Sequence, residues 1–197
     1  MLYIILRAIG FLVLRPLFRV KITGKENIPA SGPLILASNH FSYFDPLIIA
    51  TSMRRPVHFM GKAELFKNSF SRFFLKAIKA FPVERGKADI ASFKIAVSLL
   101  KDGKVLGIFA QGTRLASADI TSAKSGTAVF ALKTGAVVVP INIHGEYHIF
   151  KRIRIAFGAP LYFDKPQTGK LKREQIDHAT EKIIEAMNKT NKTFLEY

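Results

Sequence analysis

A chain of 197 residues is long enough for one domain, or one domain with a short appendage, and can bury a sizeable core. Lys and Arg number 30 against 14 Asp and Glu, a net charge of +16, while 49% of the residues are hydrophobic. That combination excludes a disordered basic tail and points to an anionic partner, nucleic acid or an anionic membrane, and the absence of cysteine excludes disulfide scaffolds, thiolate zinc sites and cysteine nucleophiles.

The first 20 residues are mostly apolar, but Arg7 and Arg15 interrupt them, and the longest unbroken run is residues 8–14. A spanning helix needs roughly 20 apolar residues, so this segment is predicted not to cross a bilayer. No small-residue cleavage site follows, and basic residues continue through Arg19, Lys21 and Lys25, which argues against a secretory leader. On a helix, Arg7, Arg15 and Arg19 fall within an arc of about 120°, with Leu, Ile, Val and Phe around the rest. The pattern predicts an amphipathic helix over residues 1–20 lying in a membrane interface with its arginines on lipid phosphates. Pro16 kinks it or ends its first half. The alternative is a first helix packed on the protein's own core.

A basic strand-like run at 19–23 and a turn at 24–32 follow. Strands are then predicted at 34–37, 57–60, 80–83, 105–109, 137–143 and 152–157, and helices at 46–53, 66–79, 90–101, 125–134 and 172–190. Asp89 is placed to cap the helix at 90–101, and Gly103 and Gly135 to close two helices. Within 66–79, Phe66, Phe70, Phe73, Phe74 and Ala77 recur at helical spacing opposite Lys67, Arg72, Lys76 and Lys79. This reads as a core-facing aromatic stripe with a solvated basic face, or as a second membrane-contacting element. The last helix places Ile176, Ala179, Ile183 and Met187 on one stripe. Strands alternating with helices predict an α/β fold, a single domain with a largely parallel mixed sheet flanked by helices.

The strand at 34–37 runs into Ser38-Asn39-His40-Phe41-Ser42-Tyr43-Phe44-Asp45-Pro46. Sites in α/β sheets form at the carboxyl ends of strands. A His with an Asp five residues on, across a tight turn into a helix, brings imidazole and carboxylate together. The Asp then holds one ring nitrogen and leaves the other free to take a proton. Two further strands end in arginine-bearing segments, Glu84-Arg85-Gly86 and Gln111-Gly112-Thr113-Arg114. Lys124-Ser125-Gly126 opens a helix, and helix N-termini with nearby cations favour phosphate.

Asn39-His40-x4-Asp45, the Arg85-Gly86 block, Gly112-Thr113-Arg114 and Val139-Pro140 stand in the order and spacing of the glycerolipid acyltransferase motifs. The chain resembles the bacterial 1-acyl-sn-glycerol-3-phosphate acyltransferases, over residues 38 to about 143. The resemblance implies the glycerol-3-phosphate acyltransferase-like fold, with residues 1–20 as a membrane helix and 21–197 as the acyltransferase domain. It implies His40 as general base for the acceptor hydroxyl and Asp45 as the carboxylate that orients it. Asn39 and Ser42 then shape the turn at the substrate, and nearby backbone N–H groups are candidates for an oxyanion. Arg85 and Arg114 match arginines expected on the acceptor's phosphate, beside Gly112 and Thr113, with Lys124 as a third cation.

The implied reaction moves a fatty acyl group from an acyl carrier protein or coenzyme A thioester to the sn-2 hydroxyl of lysophosphatidic acid, at the cytoplasmic face of an anionic membrane. It needs no cofactor, no metal and no nucleic acid. One motif departs from the family: Phe109-Ala110-Gln111-Gly112-Thr113-Arg114-Leu115 replaces Phe-Pro-Glu-Gly-Thr-Arg-Ser. Gln111 hydrogen-bonds but carries no charge, so the phosphate end is more positive. The rival readings are another acceptor, glycerol 3-phosphate or a different lysophospholipid, and a non-catalytic basic protein that binds lipid or nucleic acid. His144 and His148 have the spacing of a metal pair, but Gly145 and the placement of Glu146 break the zincin pattern.

Overall fold

The computed structural model of the chain describes residues 2–84, 89–112, 125–165 and 170–192. Among them the strands are β1 (Lys21–Thr23), β2 (Leu34–Ser38), β3 (Val57–Lys62), β4 (Ala80–Val83), β5 (Val105–Phe109), β6 (Val137–His144) and β7 (Arg154–Phe157). The helices are α1 (Leu2–Leu17), α2 (Asp45–Ser52), α3 (Ser69–Ala77), α4 (Ile90–Lys101), α5 (Gly126–Thr134) and α6 (Arg173–Lys192). One sheet runs in the order β1-β7-β6-β2-β5-β3-β4. Strands β2 to β6 are mutually parallel; β7 is antiparallel to β6, and β1 is parallel to β7. The sheet is thus mixed and largely parallel, as the alternation of strands and helices predicts.

The centre of this sheet is β2, all five of whose residues are buried. Strands covered on both faces read as continuous apolar runs, which is the pattern of Leu34-Ile35-Leu36-Ala37. Leu34 and Leu36 join Ile48, Ile49, Val57, Phe59, Ile141 and Ile143 in a core that α1, α2 and α3 cover. Ile35 and Ala37 join Leu106 and Val138 against Ala96, Leu100, Ala128, Ala131, Ile183 and Met187 of α4, α5 and α6. The register aligns Ser38 with Phe109 of β5 and Ile141 of β6, so the carboxyl end of β2 emerges between two neighbours.

The segment at 66–79 is not one helix. A 3-10 turn, Ala63–Phe66, precedes it, and the Asn68 side chain accepts from the Phe70 and Ser71 N–H groups, which starts α3 at Ser69. Phe66 is buried in the core, but the rest of the aromatic stripe is not core-facing. No residue of α3 is buried, and Phe70 and Phe73 are 80% and 65% exposed.

Helix α1 packs on the body along one stripe and leaves the other bare. Tyr3 is buried, and its hydroxyl accepts from the Val57 N–H at 3.2 Å. Gly10 lets α1 approach α2 closely, since a Cβ there would lie 3.1 Å from Thr51 Cγ2. Arg7 belongs to this inner stripe. Its Nη1 donates to the carbonyls of Met53 (3.1 Å) and Arg54 (2.7 Å) at the end of α2, where a cation meets the negative end of a helix. Arg7 is therefore turned to the protein rather than to lipid phosphate, a correction to the predicted arc. Ile4, Ile5, Ile9, Leu12 and Val13 are exposed. Among the described residues, no helix is long and apolar enough to cross a membrane.

Candidate active site

After Ser38 the chain leaves the sheet, and within seven residues it enters α2 at Asp45. The tether at the start of this turn is Asn39. Its Nδ2 donates to the Ile143 carbonyl and its Oδ1 accepts from the Ile143 N–H, both at 2.8 Å. The side chain of Asn39 thus mimics a strand residue and joins the end of β2 to β6. Inside the turn, Ser42 Oγ accepts from the Phe44 N–H at 3.2 Å.

Asp45 is fully buried, and four donors meet its two oxygens. Oδ2 lies 2.7 Å from His40 Nδ1 and accepts the Phe41 and Ser42 N–H groups at 2.8 Å each. Oδ1 accepts the Tyr147 hydroxyl at 2.7 Å. An ionised carboxylate only accepts, so His40 Nδ1 carries the proton of that bond and Nε2 is left with its lone pair. His40 is 11% exposed by side chain, and its ring stacks on Phe109 at 3.8 Å between centroids. Phe109 stacks in turn near Phe59, whose ring lies where a Cβ on Gly107 would clash at 2.3 Å. A glycine in β5 thus makes room for the aromatic wall behind the imidazole.

The same bonds remove three amides from the oxyanion expectation. The Phe41 and Ser42 N–H groups point at Asp45, and the Gly112 N–H bonds to the Phe109 carbonyl at 2.9 Å. Two amides of this turn hold the carboxylate. Gly112 takes the left-handed backbone, φ 70°, directly after β5. Gln111 beside it is buried with neither amide atom hydrogen-bonded to a described residue. Arg85, Thr113, Arg114 and Lys124, expected around the phosphate, lie outside the described residues.

Tyr147 is a member of the site that sequence reasoning missed. Strand β6 ends beside β2, and at Gly145 the backbone takes φ 123°, a turn where a Cβ would strike the Arg152 carbonyl oxygen. That reversal brings Tyr147 back over the dyad. The readable signal was a glycine directly after a strand with an aromatic two residues on; its partner was not readable. Burial and the Asp45 charge push the Tyr147 hydroxyl well above the ordinary tyrosine range, so it stays a donor.

A cavity of about 930 Å³ lies elsewhere, between β1, β7 and α6, lined by Lys21, Arg154, Phe157, Leu161 and Lys189 among others. It contains no atom of the His40–Asp45 pair.

A buried carboxylate locking a histidine at the carboxyl end of a central parallel strand leaves Nε2 of the imidazole able to take a proton. The Acyltransferase family model matches residues 19–144, and the chain belongs to that family. A 1-acyl-sn-glycerol-3-phosphate acyltransferase of Bacillus subtilis is 35% identical over 149 residues, covering 73% of this chain and 74% of that protein. One of Borreliella burgdorferi is 29% identical over 147 residues, 73% of this chain and 59% of its own length. The crystal structure of the 1-acyl-sn-glycerophosphate acyltransferase PlsC of Thermotoga maritima superposes with a TM-score of 0.70 at 23% identity, covering 95% of this chain and 78% of that one, and so shares the fold.

Proposed function

We propose that this protein transfers a fatty acyl group from an acyl thioester to the sn-2 hydroxyl of lysophosphatidic acid, giving phosphatidic acid. The observation that carries this reading is the His40–Asp45 bond of 2.7 Å, with Asp45 anchored by two further backbone donors. The names of the relatives supply the acceptor. Nε2 of His40 takes the proton of the acceptor hydroxyl as its oxygen attacks the thioester carbonyl. The new C–O bond forms, the C–S bond breaks, and the imidazolium returns its proton to the departing thiolate. Asp45 stabilises the imidazolium between these two transfers. The step balances with no metal and no covalent enzyme intermediate. Arg85, Arg114 and Lys124 are assigned to the acceptor's phosphate by their motif positions, and the donor is acyl carrier protein or coenzyme A thioester.

The protein sits on the cytoplasmic face of an anionic membrane in this reading. The bare apolar side of α1, the exposed Phe70 and Phe73 of α3, and exposed Ile149 and Phe150 support an interfacial seat. Phe150 joins α1 through its N–H, which bonds to the Leu17 carbonyl at 2.8 Å, and α1 also packs against α3. These surfaces are therefore parts of neighbouring elements.

The test is thiol release by purified protein in detergent micelles from both thioesters, with and without lysophosphatidic acid, and with His40→Ala as control. Release that needs both the acceptor and His40 is expected. No release with lysophosphatidic acid but release with glycerol 3-phosphate or another lysophospholipid would reassign the acceptor. No release with any of them would remove the catalytic reading.

A further inference from the structure

Asp45 distributes its partners unevenly. Oδ2 takes three donors, and Oδ1 takes one, the Tyr147 hydroxyl. The Tyr147 ring is itself fixed: edge-on to Phe18 at 5.1 Å, and tilted against Phe41 at 5.4 Å and Phe44 at 5.6 Å. Phe18 follows directly on α1, Phe41 lies in the catalytic turn and Phe44 precedes α2. The Phe18 carbonyl accepts the Ile153 N–H, so this residue is held from its other side as well. A single hydroxyl thus arrives at the far oxygen of the carboxylate from a ring clamped by three aromatic side chains.

We propose that Tyr147 is a positioning residue for acyl transfer, holding Asp45 Oδ1 so that the carboxylate presents Oδ2 to His40 in one fixed plane. The proposal rests on the general-base reading of His40 above. A buried carboxylate oxygen without a donor is costly, and the carboxylate would rotate to recover one or concentrate its charge on the remaining partners. Either response changes the orientation or the basicity of His40. Tyr147 acts through Asp45 and touches no reacting atom.

Among the described residues the groups facing this arrangement are few. Asp45 is the charged group in contact with both Tyr147 and His40; α1 contributes Phe18, with exposed Arg19 next to it in sequence, and β5 contributes Phe109. On Tyr147's own segment, His144, Glu146 and His148 are exposed. Removing the hydroxyl leaves more negative charge facing His40. That favours the imidazolium and raises the pH at which His40 loses its proton.

The experiment compares wild type with Tyr147→Phe, which keeps the ring in its aromatic seat. Acyl transfer to lysophosphatidic acid in detergent micelles is followed against pH, and the His40 imidazole is titrated by NMR. The expected result is a fall in kcat of about tenfold or more with acceptor KM little changed. The acid limb of the pH profile and the His40 titration should both move to higher pH. An unchanged kcat overturns the proposal. A lowered kcat with neither the limb nor the titration moved also overturns it, because that is what lost packing alone would do. His40→Ala is measured beside it. Should that variant remain active, the general-base reading fails, while the His40 titration in Tyr147→Phe still reports whether the hydroxyl acts on the dyad through Asp45.

Discussion

The turn of His40 and Asp45 meets the end of helix α1 where Phe44 packs on Phe18, yet the two use polar and apolar groups in opposite ways. In the turn every oxygen of Asp45 is paired, Asn39 is bonded on both sides to one backbone residue, and Ser42 closes the loop. In α1, Arg7 turns its charge inward onto the end of α2, while Ile4, Ile5, Ile9, Leu12 and Val13 stand exposed. The turn fixes a geometry, which needs directional bonds with few alternatives. The outer face of α1 offers area, which is additive and tolerant of position. Chemistry should therefore fail abruptly on single changes, and surface binding should fail by degrees.

The sharpest contrast is at His40. His40→Ala should lower acyl transfer by about 10²–10⁴-fold, the usual worth of a general base, in the thiol-release assay. Asp45 keeps three of its four donors in that variant, so the melting temperature should stay near wild type. Large loss of folding there would break the claim that the turn is held without the imidazole. Next comes Asn39→Ala, which strands the buried N–H and carbonyl of Ile143. It should destabilise by about 1–3 kcal/mol in urea unfolding, with activity falling as β2 and β6 lose register at the site.

On the other side of the comparison, Leu12→Lys and Ile5→Lys should each weaken binding to anionic vesicles about tenfold or more, as the lost burial of one aliphatic side chain predicts. Neither should change melting, because both side chains are bare in the fold. A drop in melting equal to that of Asn39→Ala would mean that this face is covered by protein after all. Arg7→Met should lower stability by about 1 kcal/mol through the uncapped end of α2, read by thermal melting.

The smallest effect is at His58, whose half-buried ring bonds to the Val105 carbonyl and whose pKa burial lowers from 6.5. The folded protein thus holds His58 neutral where the unfolded chain would protonate it. Its contribution is fully present above pH about 6.5 and declines as the pH falls toward the folded value. His58→Gln should show a slightly shallower loss of melting temperature between pH 7.5 and 5 than wild type.

Strand positions were readable because β2, β5 and β6 are largely buried on both faces and so read as runs rich in Val, Ile and Leu. His40 and Asp45 were readable because five residues across a turn into a helix leave little freedom. The aromatic stripe of 66–79 was misleading for the opposite reason. Periodicity states that one helix face is apolar and does not state what lies opposite it, and among the described residues no element covers Phe70 or Phe73. Arg7 was misplaced in the same way, since its partners are backbone carbonyls 46 and 47 residues on.

By itself, then, the sequence determined the class of fold, the strand that carries the site, the His40–Asp45 pair and the amphipathic character of the N-terminus. Those follow from local patterning, where neighbours in sequence are neighbours in space. Only the tertiary structure decided that β7 turns back antiparallel to β6, that Arg7 faces inward, that the turn's amides hold Asp45, and that Tyr147 completes its partners. The β7 pairing, the Arg7 contacts and the Tyr147 bond are long-range and come together only when the fold assembles, while the amides on Asp45 are local but carry no side-chain signal, since any backbone N–H could serve.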